Sequence, residues 1–122
     1  MLLNFHSESC FGSRAMKVVI IKVSEKLIAK LYEISQNYRV KKHKISFTSK
    51  TISLLKTVEL TDTNINDFVK FENELQFVKG TGCTTTDWYD LQSKDLNIKR
   101  EDGTCMWSGF YYLKKSIFGE ID

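Results

Sequence analysis

Proline is absent from the 122-residue sequence. Its absence excludes a Pro-rich linker. Histidine is almost as scarce, with only His6 and His43 available for acid–base work near neutral pH. Cysteine is sparse and odd in number: Cys10, Cys83 and Cys105 include no close pair. A secreted disulfide scaffold carries a denser, even set, so the expected state is three free thiols in a reducing cytosol. The sharper alternative is one disulfide between Cys83 and Cys105. The spacing His6-x-x-x-Cys10 could place two metal ligands together, but neither Cys83 nor Cys105 brings the close partner of a structural zinc site. No metal and no cofactor are therefore expected. Long apolar runs are also missing, and nothing approaches the roughly 20 residues of a membrane-spanning helix. The N-terminus lacks a basic segment and its apolar run ends after Leu3, unlike a signal peptide. These features predict a cytoplasmic protein without membrane contact.

The residues that are present describe an ordinary globular chain. Hydrophobic residues make up 42% and charged residues 27%, which suits one domain with a sizeable core. A net charge of +3 is too small to demand a nucleic-acid partner. Lys, Ile, Asn and Thr are frequent, as in an AT-rich bacterial or phage coding sequence. Residues 1–15 lack periodicity and read as an N-terminal extension, with Met16 as a second candidate start, and residues 16–122 read as a single α+β domain. Both tryptophans and Cys83 and Cys105 fall between Phe77 and Tyr112, the stretch expected to supply most of the core.

Within that domain, Lys17–Val23 is rich in β-branched residues and predicts a strand interior to a sheet and buried on both faces. Ser24 follows as a candidate N-cap. Leu27, Ile28, Leu31, Ile34 and Tyr38 recur at helical spacing and predict a helix from Glu25 to about Tyr38. Ile45–Thr48 and Ile52–Leu60 alternate as strands, and Ile65 to Leu75 predicts a second helix after the capping candidates Thr61–Asn64. Gly80–Thr86 is a turn into a strand over Thr84–Leu91. It lacks the Gly-Lys-Ser/Thr ending and the helix of a phosphate-binding loop. A hairpin of Leu96–Arg100 and Thr104–Lys114 is expected around Asp102-Gly103. The predicted order is β-α-β-β-α-β-β-β, a mostly antiparallel sheet with two helices.

Two surface constellations carry functional expectations. Asp87-Trp88-Tyr89-Asp90 combines an aromatic anchor with two carboxylates, which suits contact with a cationic site on a partner; in a strand, Asp87 and Tyr89 share one face and Trp88 and Asp90 the other. These residues belong equally well in a core. The basic stretch Arg39, Lys41, Lys42, His43 and Lys44 suits an acidic partner or RNA, or a ribonuclease with His43 as acid or base. A solvated loop is its plainer reading. No complete catalytic set is visible, and Cys83 has no histidine placed beside it to activate a thiolate. The expected function is therefore a small non-catalytic protein-binding protein, such as a bacterial immunity protein, an antitoxin or a phage inhibitor that blocks a partner toxin, nuclease or other enzyme. The alternative is an RNA-binding protein or small ribonuclease built on the basic stretch.

Overall fold

The computed structural model describes residues 1–9, 12–41 and 44–120, and only the backbone within 36–41 and 45–48. Eight elements follow one another: β1 (Leu2–Ser9), β2 (Gly12–Val23), β3 (Lys26–Lys41), β4 (Lys44–Glu59), α1 (Asp62–Leu75), β5 (Thr86–Gln92), β6 (Asn97–Asp102) and α2 (Gly109–Phe118). The strands make one antiparallel sheet in the order β4-β3-β2-β1-β5-β6. Both helices lie on one face. The core between them and the sheet is built from alternate strand residues (Leu3, Met16, Val18, Ala29, Leu31, Tyr89, Leu91 and Ile98) and from Phe68, Phe71, Leu75, Phe110, Leu113, Ile117 and Phe118 of the helices. A capping box between Thr61 and Asn64 starts α1. Lys56 of β4 donates from Nζ to the carbonyl of Phe118 at 2.6 Å, closing the sheet onto the C-terminal end of α2, where a cation suits the helix dipole.

The α+β class, the mostly antiparallel sheet, the two helices and the interior position of Lys17–Val23 are as the sequence predicts. The identity of several elements is not. Glu25–Tyr38 is strand rather than helix, because Ser24 and Glu25 form a two-residue turn with φ of 48° and 70° and fold β3 back on β2. Ser24 is thus a turn residue and not a helix cap. Leu27, Ala29 and Leu31 alternate toward the helices, and Ile28, Tyr32 and Ile34 toward the opposite face. Thr104–Lys114 is not a strand: Phe110, Leu113 and Ile117 make the buried stripe of α2. Elements therefore run β-β-β-β-α-β-β-α. Asp102-Gly103 ends β6 instead of turning a hairpin, and Gly103 lies against Gly80, donating to its carbonyl at 3.0 Å. A Cβ at Gly103 would sit 3.3 Å from that oxygen, so close approach explains this glycine. Lys17–Val23 is covered on one face only, leaving Ile21 and Val23 exposed.

Residues 1–15 are not laid over the domain. β1 pairs with β2 from Leu2↔Val19 to Ser9↔Gly12 and with β5 from Leu2↔Gln92 to Glu8↔Thr86. The strand β2 begins at Gly12, so the segment supplies backbone partners to both halves of the sheet.

Two outcomes test this architecture. Leu31 has 0% exposure, and Leu31→Ala should lower the unfolding free energy by roughly 2–5 kcal/mol in a denaturant titration. A chain started at Met16 loses β1 and should show no cooperative unfolding transition by circular dichroism; a native-like transition in that chain would contradict the role given to β1.

Candidate functional site

Asp87, Trp88, Tyr89 and Asp90 lie in β5, whose pleat sends them alternately to the two faces of the sheet. Tyr89 is 3% exposed and packs in an aromatic cluster, its ring centroid 5.4 Å from Phe5, 5.3 Å from Trp107 and 6.1 Å from Phe71. Burial, followed by the nearby Asp87 and Asp102 carboxylates, pushes the Tyr89 hydroxyl well above the ordinary phenol range, so it stays neutral. Trp88 and Asp90 are on the other face. The sheet itself separates the four residues into two pairs, and Tyr89 is a core residue.

The face holding Trp88 and Asp90 carries no helix. Its geometry follows from the register. One row crosses five strands as Trp88–His6–Ala15–Ile34–Ile52, and the next as Asp90–Asn4–Lys17–Tyr32–Leu54. Trp88 stacks on His6 with centroids 5.2 Å apart and planes 27° from parallel. His6 Nε2 lies 3.3 Å from Glu8. Asp90 accepts from Gln92 Nε2 at 3.1 Å through one oxygen, and its other oxygen is buried without a hydrogen-bond partner among the described residues. Small Ala15 leaves a trough between the Trp88–His6 stack and Ile34. The resulting open groove has a volume of about 670 Å³ and includes Glu8, Lys50 and Asp90 in its lining. Ile52 and Leu54 are 55% and 53% exposed beside it. Ala15, Ile34, Ile52 and Leu54 were not singled out as surface residues by sequence reasoning, whereas His6 was read as exposed. The alternation of Tyr32 with Ile34 and of Ile52 with Leu54 is the signal that could have found them.

The basic stretch lies elsewhere. β2 stops pairing with β3 at Ala15↔Ile34, and from there β3 and β4 continue as a two-stranded ribbon to Lys41↔Lys44. Arg39 and Lys41 are in its outgoing strand and Lys44 opens its return strand, while Lys42 and His43 lie outside the described residues. Seven residues of extended chain separate Ile34 from Lys41, roughly 23 Å. The basic tip and the Trp88 groove are thus distinct surfaces. No family model matches this chain, and neither does any curated protein.

Two loops beside β5 are fastened together. Cys83 and Cys105 form a disulfide with Cα atoms 5.8 Å apart, so two of the three thiols are not free as expected. The bridge is the one the sequence offers as the alternative to free thiols, between cysteines 22 positions apart, and Gly103–Gly80 and Cys83–Gly103 backbone bonds bring their loops together. Asp102 reinforces the second loop. It is 2% exposed and accepts from the backbone N–H of Thr104 at 3.0 Å and its hydroxyl at 2.6 Å. These restraints hold Trp107 against Phe71 and Tyr89. Among the described residues, no group of three or more His, Cys, Asp or Glu side chains is arranged to hold a metal ion. Among the described residues, no helix is long and apolar enough to cross a membrane.

Titration of the denatured, unreduced chain should find one thiol, and three after reduction. Cys83→Ser should lower stability by about 3 kcal/mol, the loop-closure value for a bridge of this span. Three thiols without reduction would contradict the bridge.

Proposed function

We propose that the protein works by binding another protein through the uncovered sheet face, with Trp88, Ile34, Ile52 and Leu54 as apolar contacts and Asp90 and Glu8 as acidic ones. The observation that supports this reading is the pair of adjacent rows ending at Ile52 and Leu54, in which those two side chains stand in solvent beside an open groove and Trp88 and Ile34 are half-buried along it. Aromatic and aliphatic anchors of this kind carry most of the energy of protein interfaces, and the flanking charges set orientation and partner choice. Blocking a toxin or another enzyme, as an immunity protein, antitoxin or phage inhibitor does, is the form of binding proposed. A small single domain with a broad, preformed face suits that task. The acidic residues favour a partner that presents a cationic site.

A second reading rests on the ribbon. Two antiparallel strands that leave the sheet and carry Arg39, Lys41 and Lys44 have the dimensions of an element that enters the DNA major groove, or that follows a phosphate backbone. In this reading the protein binds nucleic acid, and RNA cleavage would require His43.

The two readings separate cleanly in a co-purification from the native cell, with the captured partner identified and its affinity measured by calorimetry. Ile52→Asp with Leu54→Asp should abolish partner binding while leaving the melting temperature nearly unchanged, since both residues are exposed. Asp90→Lys should weaken it at least tenfold. Asp87→Lys, on the other face, should leave it intact. Loss of binding only on reversing Lys41 and Lys44, together with salt-dependent RNA or DNA binding, would replace the first reading by the second.

A further inference from the structure

A second cavity, of about 290 Å³, lies on the helix side of the sheet under α2; Phe5, Arg14 and Met16 border both it and the groove of the uncovered face, but its remaining walls are its own. Its walls are aromatic: Phe5 is stacked on Phe110 at 4.2 Å, and Tyr89 meets Trp107 edge-on. Its charged residues are sorted by position. Arg14, Ser7, Asp87 and Asp102 occupy one row across β2, β1, β5 and β6. At one end Arg14 stands near Lys114 of α2, and both line the cavity without an ion-pair partner among the described residues. Burial and the neighbouring Arg14 lower the Lys114 pKa, only partly opposed by Glu120 and Glu33. At the other end Asp87 lines the cavity, and Asp102 is directly opposite it in the strand pair. Among the described residues neither carboxyl has a cation paired with it, and one Asp102 oxygen is buried without a hydrogen-bond partner.

Positive charge at one end and carboxyls at the other face each other over the small side chain of Ser7. Arg14 and Asp87 are two strand spacings apart, roughly 10 Å between Cα atoms. They are therefore complementary to a ligand that carries both signs close together. An ammonium and a carboxylate on one tetrahedral carbon, each with a charge-assisted hydrogen bond to the protein, span about 8–9 Å. The aromatic walls supply an apolar slot beside that span, and the volume suits a small ligand.

We propose that this cavity binds a free aromatic α-amino acid. Its ammonium sits at Asp87, with Asp102 behind it; its carboxylate sits between Arg14 and Lys114; and its ring lies against Phe5, Phe110 and Trp107. Binding sets an anion between Arg14 and Lys114, which repel each other, and gives the Asp87 carboxylate a cationic partner, so ligands lacking either charge bind more weakly.

The test is an NMR titration of the isotope-labelled full chain with L-phenylalanine, phenylacetate, 2-phenylethylamine and glycine. Phenylalanine should shift the Tyr89, Trp107 and Lys114 signals saturably, with a dissociation constant of about 1 mM or tighter. The other three should bind at least tenfold more weakly. Arg14→Gln should weaken phenylalanine but not phenylethylamine, and Asp87→Asn should weaken phenylalanine but not phenylacetate. A general loss of structure would not reproduce that exchange, and unchanged melting temperatures would confirm that both variants fold. Absence of saturable shifts with all four compounds would overturn the proposal. So would phenylacetate binding as tightly as phenylalanine, or shifts confined to the Trp88 face.

Discussion

β1 is hydrogen-bonded along both of its edges, and every other part of the molecule depends on that double pairing. On one side stand β2, β3 and β4, joined to one another in sequence; on the other stand β5 and β6. Among the described strands, β1 alone pairs with both groups. Its inward residues, Leu3 and Phe5, are also the place where the helices meet the sheet, with Phe5 touching both Tyr89 and Phe110. Its outward residues, Asn4, His6 and Glu8, line the groove on the uncovered face. A single eight-residue strand therefore sets the sheet order, seats α2 and divides the two candidate binding surfaces from each other.

Much of this was legible in the sequence, for identifiable reasons. The run from Lys17 to Val23, the capping signals at Thr61–Asn64 and the Thr- and aromatic-rich segment after Gly80–Thr86 each name an element whose local preference agrees with its tertiary setting. The errors fall where they disagree. Leu27, Ile28, Leu31 and Ile34 satisfy helical spacing, yet they also satisfy a strand that is apolar on both faces, and the deciding turn at Ser24-Glu25 lacks the Asn-Gly or Asp-Gly that announces such hairpins. Conversely, Asp102-Gly103 looks like a hairpin signal but answers a close approach to Gly80. At the candidate site, the alternation of Asp87 through Asp90 was readable. The core position of Tyr89 was not, because it depends on Phe71 and Trp107 arriving from other elements.

The Cys83–Cys105 bridge changes the argument about compartment. Free thiols supported a cytosolic protein, and a disulfide persists where conditions are oxidising. The bridge lies beside the aromatic cluster, and the loop it restrains carries Trp107, whose ring lines the cavity under α2. Redox conditions would therefore be felt at that cavity before they were felt at the Trp88 groove on the far side of the sheet.

The position of β1 also has a bearing on how the chain is made. Leu2 is paired with Gln92, 90 positions further along. As the chain emerges from a ribosome, β1 to β4 can assemble as a meander of neighbouring strands, because each pairs with the next. The second edge of β1, and the apolar face destined for the helices, then wait in the open until β5 and α2 have been synthesised. Unpaired strand edges and uncovered apolar faces are what growing chains aggregate through. β1 is thus complete only once β5 has been made, and through the interval between Ser9 and Thr86 its second edge stays open to the contacts through which misassembling chains associate.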